Sequence, residues 1–186
     1  MVELLTRNSN RFLPITSPWE TVGGSAEQIT VNFLRGCILS SFGMVEMQLK
    51  QIAYGGSKLE EYRTIRKRAP WKRSDFLKYI RDVAAVDGPV RNSGVDITGI
   101  CNEFEAQLET RDHWAHGHLV VLPGARGNRW DGSWITLESW KSHKGKTTLV
   151  THRWSHSEIE SQVETAKILA DKCNIAFSEL SPIVPI

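Results

Sequence analysis

The sequence predicts a mainly α-helical bundle with a small antiparallel β-meander inserted before its last helix. Apolar residues recur at helical spacing over most of the chain. After Gly117 the pattern changes to β-branched and aromatic residues separated by turn pairs, which is typical of short strands. A length of 186 residues suits one compact domain. We therefore expect an irregular segment over residues 1–25 and a single helical domain over 26–186, with the β-insert at about 118–154.

The first helices are bounded by glycine and proline. A long helix is predicted from Ala26 to Tyr54 and is ended by Gly55-Gly56. Its apolar residues cover more than one face, which predicts a central and largely buried helix. A short charged helix over 58–69 and a further helix from Ser74 to Val86 are expected to follow.

A fourth helix is predicted from Asp96 to His116. Its apolar stripe continues through Arg111, so this arginine is expected to point inward or toward a partner, which is unusual for a charged residue. Three strands are expected next, over 118–122, about 130–140 and about 147–154. A capping box then begins the last helix, and the pairs that fit it are Ser155 with Glu158 and Ser157 with Glu160.

Composition excludes several classes of protein. An apolar content of 40% and a charged content of 24% are ordinary for a soluble globular protein, and the net charge is only +2. The most apolar window, 31–45, is too short and too polar to span a bilayer, and residues 1–19 carry no signal-peptide pattern, so no membrane partner is expected. Three separated cysteines argue against a disulfide framework or a cysteine zinc site and predict a cytoplasmic location.

Lysine and arginine crowd into residues 63–81 and 126–153. Such clusters form either an electrostatic footprint for nucleic acid or the solvated face of a helix or hairpin.

The candidate site is the heptapeptide from Arg111 to Gly117, at the end of the predicted fourth helix. An arginine supplies a permanent planar cation for phosphate, and imidazoles titrate near neutral pH. RNA cleavage by its own 2′-hydroxyl needs proton transfer at two oxygens and charge stabilisation at phosphorus. His116 could transfer a proton and Arg111 could stabilise that charge. The same two residues could equally be ordinary members of a helix end.

Helical geometry separates these two side chains. Residues five apart lie about 140° apart around the axis and about 7.5 Å apart along it. Two routes could bring them together. Either Gly117 takes a left-handed conformation that turns the imidazole of His116 back, or two copies of the helix meet across a symmetric dimer, which the inward position of Arg111 favours.

Arg111-Asp112-(x)3-His116 resembles the R-polar-x(3–5)-H motif of the HEPN family, and Ala115-His116-Gly117 matches the AHG ending frequent in it. The resemblance covers residues 26–117 and the last helix, and the β-insert lies outside it. It implies a helical bundle with the motif on a late helix. It also implies a metal-independent endoribonuclease that needs no cofactor and acts as a homodimer with two motifs in one cleft. Other members of the family are inactive partners or nucleotide-binding modules.

The resemblance implies catalytic roles for Arg111 and His116, with Asp112 orienting or polarising them. It places the protein in a toxin or antiphage defence setting, with RNA as substrate and an antitoxin or regulatory protein as a further partner. A toxin branch of the family carries a modifiable tyrosine two places after the histidine. Here His118 stands there, so that control is not expected. Glu46 is either a carboxylate partner of Arg111 or a solvent-exposed glutamate. The side chains expected to contact RNA are His113, His118, Arg126, Arg129 and Trp130.

Three other interpretations remain open at this point. His113, His116 and His118 could bind zinc through three imidazoles. Five of the seven tryptophans lie between Trp114 and Trp154, and these rings either stack on bases or pack the meander against the bundle. The chain could also be a non-catalytic helical dimer that binds a partner. A shared basic cleft favours the enzyme, whereas an occluded or salt-bridged motif favours the binding module.

Overall fold

The computed structural model describes residues 26–65, 72–122, 134–143 and 146–185. The predicted mainly α-helical fold with a small antiparallel sheet before the last helix is confirmed. The predicted irregular segment, residues 1–25, lies outside the described residues. Among the helices of the described ranges, none is long and apolar enough to cross a lipid bilayer. The elements are α1 (Ala26–Gly56), a 3-10 turn (Glu60–Tyr62), α2 (Arg73–Ala85), α3 (Pro89–Asn92), α4 (Ile97–Ala106), α5 (Leu108–His116), β1 (His118–Leu122), β2 (Trp134–His143), β3 (Lys146–Trp154) and α6 (His156–Leu180).

Helices α1 and α6 form the centre of the bundle and make the most extensive helix–helix contact in the described structure. The buried residues of α1 recur at helical spacing on one face, and α2, α4 and α5 also pack against this helix. The prediction that α1 is largely buried is wrong, because its opposite face is exposed. The large apolar residues exposed on α1 are Ile29, Phe33, Met44, Met47 and Tyr54.

The last helix begins where the sequence places it. The hydroxyl of Ser155 accepts a hydrogen bond from the backbone N–H of Glu158 at 3.3 Å. The carboxylate of Glu158 accepts one from the backbone N–H of Ser155 at 2.6 Å. The first of the two expected capping boxes is therefore the one that forms.

The three strands form an antiparallel sheet in the order β1-β2-β3. Ile135 and Leu137 of β2 are buried. Trp154 of β3 stacks on Trp114 of α5, with ring centroids 4.9 Å apart and an interplanar angle of 16°. The indole N–H of Trp114 donates to Gln162 of α6 at 2.6 Å. The sheet is thus attached to the bundle through these tryptophans, as the packing interpretation expects.

The predicted fourth helix is not continuous, which is a correction. It breaks at Gln107, whose backbone N–H bonds to the Phe104 carbonyl at 3.2 Å in a tightened last turn of α4. The break rotates α5, so that Trp114 is fully buried while Arg111 is only half-buried. In a continuous helix the apolar stripe would include Arg111, and Trp114 would lie about 90° from the centre of that stripe. Burial of that ring is the larger gain, because a tryptophan removes about 150–250 Å² from water.

Two further expectations need correction. The charged helix predicted over 58–69 is represented, in the part that the structure describes, by the 3-10 turn and adjoining turns. Gly117 does not take a left-handed conformation, since its φ is −75° and its ψ is 142°. The glycine is needed for space, because a Cβ there would collide with Leu137 and with the carbonyl of His113. The first route for joining Arg111 to His116 therefore fails.

Candidate functional site

Arg111 lies at the edge of a pocket between α1 and α5. Its side chain is 25% exposed, and its backbone N–H donates to the Gln107 carbonyl at 3.0 Å as the first turn of α5 forms. The pocket has a volume of about 560 Å³. A guanidinium at such an edge is partly desolvated and can still meet a ligand. The other residues lining the pocket are Gly43, Glu46, Met47, Lys50, Gln51 and Tyr54.

Three charged residues of this pocket, Lys50, Glu46 and Arg111, are linked through Arg73 and Asp112 beside it. These five side chains alternate in sign, and we refer to them as the charge chain. Lys50 contacts Glu46 at 2.8 Å, and Arg73 contacts the same carboxylate at 3.0 Å. Arg73 also approaches Asp112 at 3.6 Å, and Asp112 accepts a hydrogen bond from Arg111 at 2.9 Å. Three cations against two carboxylates leave this cluster positive. An anion such as a phosphodiester is therefore the favoured ligand class.

Glu46 is held as a carboxylate at the centre of the charge chain. Burial raises the pKa of Glu46, but the hydrogen bonds and charges of Lys50 and Arg73 outweigh this effect, and the net pKa is lowered. Glu46 therefore anchors cations at neutral pH and has no proton to donate. Glu46 lines the same pocket as Arg111, but the two side chains are connected only indirectly, through Arg73 and Asp112.

His116 lies apart from the pocket. It is exposed in the last turn of α5 and is not among the residues that line the pocket with Arg111. Next to His116, the Arg35 guanidinium donates a hydrogen bond to the Ala115 carbonyl at 3.2 Å. A cation is favoured at this position because the carbonyl end of a helix carries partial negative charge. Burial lowers the pKa of Arg35, which still remains protonated at neutral pH. One copy of the chain thus holds Arg111 and His116 in different surroundings.

These contacts also set the direction of α5. Its first turn lies beside the second half of α1, where Arg111 lines the same pocket as Gly43 and Met47. Its last turn lies beside Arg35, in the first half of α1. The two helices therefore run antiparallel, with Arg111 and His116 at different levels along α1.

The two flanking histidines are in different environments. His113 is 4% exposed, and its ring lies 4.0 Å from that of His152, centroid to centroid. His152 in turn stacks near Trp154 at 5.5 Å, so His113 belongs to the aromatic contact between α5 and β3. His118 is exposed at the start of β1. In the described ranges no group of three or more His, Cys, Asp or Glu residues is arranged to hold a metal ion, so the zinc interpretation has no converging ligands there.

Three of the residues expected to contact RNA, Arg126, Arg129 and Trp130, lie outside the described residues. Conversely, sequence reasoning missed the roles of Arg73 and Arg35. Arg73 stands in the first basic cluster, but that signal gives no partner for it. Its contacts with Glu46 and Asp112 depend on the packing of α2 beside α1.

The fold and the site define a helical-bundle protein with a cationic pocket between α1 and α5, beside which Arg73 of α2 pairs with Glu46 and Asp112. Comparison of the chain with known protein families, curated proteins and solved structures finds no match.

Proposed function

We propose that this protein is a metal-independent endoribonuclease of HEPN type. The observation that carries the proposal is the position of Arg111. The arginine of the R-x4-H motif lines a positively charged pocket and is held there by Asp112, the polar residue of the same motif. A bundle of helices with the motif on a late helix is also what that family would require.

The proposed reaction is attack by the 2′-oxygen of RNA on the adjacent phosphorus. The O2′–P bond forms and the P–O5′ bond breaks, so the products end in a 2′,3′-cyclic phosphate and a 5′-hydroxyl. The 2′-hydroxyl loses its proton to a base, and the leaving 5′-oxygen gains a proton from an acid. His116 performs a proton transfer in this scheme, and the Arg111 guanidinium stabilises the extra negative charge on the phosphorane.

Asp112 and Arg73 act as positioning residues in this scheme. Asp112 fixes one side of the Arg111 guanidinium, and Arg73 bridges Asp112 to Glu46 of α1. A planar guanidinium held in this way presents its remaining N–H groups in a fixed fork, which lowers the entropic cost of gripping a phosphate.

The proposed working form is a homodimer, because a single copy keeps Arg111 and His116 apart. We place it in the cytoplasm, in a toxin or antiphage defence setting with an antitoxin or regulatory protein as partner. That setting follows from the family resemblance of the motif.

The direct test is an RNA cleavage assay on single-residue variants. We expect Arg111→Ala and His116→Ala each to reduce cleavage by about 100-fold or more. Arg111→Lys should also be impaired, because an ammonium cannot reproduce the planar fork. The matched controls are Arg91→Ala on α3 and His156→Ala on α6, which should keep wild-type activity. Wild-type cleavage by a folded Arg111 or His116 variant would refute the assigned roles.

A second function has one observation in its favour. Arg111 is already paired with Asp112, and a salt-bridged motif is what a non-catalytic binding module would show. Asp112→Asn separates the two functions. In the enzyme it loosens a positioned arginine and reduces cleavage, whereas in the module there is no cleavage to lose and only binding of the partner changes.

A further inference from the structure

The proposed reaction leaves part of the Arg111 pocket unused. Three uncharged side chains line it, namely Met47, Gln51 and Tyr54. Met47 is 53% exposed and Tyr54 is 47% exposed. The pocket volume of about 560 Å³ falls in the range of roughly 300–1,000 Å³ that is typical of small-molecule sites. Cations and exposed apolar surface in one pocket indicate a ligand with a negative charge and an aromatic or apolar part.

The floor of the pocket is one stripe of α1. Its residues recur at spacings of four, three and four, which places them on one side of the helix: Gly43, Met47, Lys50 and Tyr54. The stripe runs for about 17 Å along the helix axis. Glu46 and Gln51 lie on its two opposite flanks. The pocket is therefore an elongated groove along α1, and we refer to it as the α1 groove.

The cations lie toward one end of the α1 groove. The charge chain links Arg111 to Glu46, so the Arg111 guanidinium lies near the level of Glu46 along the helix. The ammonium of Lys50 contacts the Glu46 carboxylate at 2.8 Å, and the Lys50 side chain is still 44% exposed. Tyr54 lies about 12 Å beyond Glu46 along the axis. A phosphate is therefore favoured beside Arg111 and Lys50, and the rest of its molecule extends toward Tyr54.

Tyr54 is the aromatic side chain of the α1 groove. The Nζ of Lys58 lies 4.2 Å from its ring centroid, over one face of the ring. This cation–π contact orients the ring and leaves the opposite face as the one on which a planar group can stack. Proteins that bind single-stranded nucleic acid combine such aromatic side chains with a positively charged groove along the backbone. The α1 groove has both features.

Gln51 supplies an uncharged polar group next to this ring. It stands three residues before Tyr54, so the two side chains are neighbours on the helix surface. Among the residues that the structure describes, none is hydrogen-bonded to the Gln51 amide. The amide offers a donor and an acceptor side by side, and adenine presents the matching pair at N6 and N7. A base stacked on Tyr54 would thus meet Gln51 at its edge.

We propose that the α1 groove holds one unpaired nucleotide of an RNA strand, with its phosphate at Arg111 and Lys50, its base stacked on Tyr54 and the base edge bonded to Gln51. The amide of Gln51 makes adenine the preferred base. The inference rests on the proposed function for RNA as the substrate, and it adds the substrate contacts of the same site. The base must be unpaired, because neighbouring bases cover both faces of a base inside a duplex.

The first experiment measures the binding of an end-labelled oligoadenylate by fluorescence anisotropy. The strand carries 2′-fluoro groups, so it lacks the attacking hydroxyl and stays intact. We expect the wild type to bind, Tyr54→Ala to bind about tenfold or more weakly, and Tyr54→Phe to bind as the wild type does, because the ring is kept. The matched control is Phe33→Ala, since Phe33 is also exposed on α1 but does not line the groove. No binding by the wild type, or wild-type affinity in Tyr54→Ala, would overturn the proposal.

An abasic strand of the same length separates the base from the phosphate. Arg111→Ala should weaken the binding of both strands, because both carry phosphates. Tyr54→Ala should weaken only the strand that has bases. An equal effect of Tyr54→Ala on the two strands would show that the tyrosine does not stack on a base, and would contradict the proposal.

The role of Gln51 is tested with an oligouridylate of the same length. We expect the wild type to bind oligoadenylate more tightly than oligouridylate, and Gln51→Ala to reduce this preference. Equal affinity of the wild type for the two strands, or an unchanged preference in Gln51→Ala, would refute the assignment of the base edge to Gln51.

Gly43 allows a steric test that leaves the fold intact. Among the described residues, a Cβ added at Gly43 meets nothing within 4 Å, and the same holds at Gly36. Gly43 lines the groove and Gly36 does not. Gly43→Leu should therefore occupy part of the groove and weaken binding about tenfold or more, whereas the matched control Gly36→Leu should bind as the wild type does. Circular dichroism should show an intact fold in both variants. Wild-type affinity in Gly43→Leu would contradict the proposal.

A free adenine nucleotide has the same phosphate and base as one unit of the strand. Adenosine 3′-monophosphate should compete with the strand about tenfold or more weakly than an unlabelled oligoadenylate does, because neighbouring phosphates add contacts with the cations. If the free nucleotide binds as tightly as the strand, the groove serves a soluble nucleotide and the assignment to RNA is wrong.

Cleavage kinetics separate this inference from the proposed function. We expect Tyr54→Ala to raise KM for RNA with little change in kcat, because the stacked base is distant from the reacting phosphate. If the wild type cleaves RNA and Tyr54→Ala keeps the wild-type KM, the nucleotide site is wrong while the proposed function stands. If the wild type binds the strand through Tyr54 but cleaves no RNA, the proposed function fails and the nucleotide site is supported.

Discussion

Replacing Gly117 by alanine tests how the motif helix is joined to the sheet. A helix-ending glycine usually owes its position to a left-handed backbone, but the φ of Gly117 is −75° and any residue can adopt it. Glycine is required at position 117 for steric reasons. Gly117 donates from its N–H to the His113 carbonyl at 2.8 Å, and a Cβ on it would collide with both that carbonyl and the Leu137 side chain.

The magnitude follows from two opposing effects. A methyl group forced into a packed site costs about 1–3 kcal/mol. Alanine also restricts the unfolded chain, and at a compatible backbone conformation this stabilises by about 0.4–1 kcal/mol. Leu137 is only 1% exposed and cannot swing into solvent, so the steric cost dominates. We expect Gly117→Ala to lower the free energy of unfolding by about 1–2 kcal/mol.

Urea unfolding followed by far-ultraviolet circular dichroism measures this change. Gly56→Ala is the matched control, because Gly56 is also buried but a Cβ there lies 3.8 Å from Tyr79, an ordinary contact. That variant should be neutral or slightly stabilised. If Gly117→Ala is as stable as the wild type, the close approach of α5 to β2 is not as described, and the steric reasoning fails.

Three further predictions concern the charge chain, the last helix and the tryptophan contact. The folded pKa of Glu46 is lowered from its ordinary value of 4.5, so its stabilising effect is present above that pH and is lost as pH falls through the folded pKa. Glu46→Gln should therefore reduce the loss of stability on acidification, measured by urea unfolding between pH 7 and pH 3. An unchanged dependence of stability on pH would contradict the role of Glu46. Ser155→Ala removes the capping box and should cost about 1 kcal/mol in thermal or urea unfolding, whereas no loss would show that the cap contributes nothing. Trp114→Phe removes the hydrogen bond to Gln162 and part of a buried ring, and should cost about 2 kcal/mol by urea unfolding; a loss under 0.5 kcal/mol would contradict the packing described.

The elements that the sequence predicts well are those with signals local to the chain. The capping box of Ser155 and Glu158 lies within four residues, and the strands follow a visible change of period. The break at Gln107 was missed because its cause is distant. Trp114 is drawn inward by Trp154 and Gln162, which lie 40 or more positions further along the chain. The apolar stripe of the predicted helix continues through Arg111, so the sequence pattern does not indicate the break at Gln107.

Part of the site can be predicted from the sequence, because its signal is also local to the chain. The motif residues and the polar neighbour of Arg111 stand together in one heptapeptide. Arg73 and Lys50 join them through packing between helices, which spacing along the chain does not encode. The apolar pattern of α1 predicted burial on several faces, because an apolar residue gives the same signal in the sequence whether the fold buries it or leaves it exposed. In the structure Phe33 and Met47 are exposed.

Analysis of the ends of cleaved RNA tests the central claim most directly. A dimeric sample of the full chain is incubated with a mixed-sequence RNA in EDTA, and the products are examined for their terminal groups. We predict cleavage in the chelator, with a 2′,3′-cyclic phosphate on one side of each cut and a 5′-hydroxyl on the other. Intact RNA, cleavage that EDTA abolishes, or products with 5′-phosphates would contradict the account of Arg111 and His116 given above.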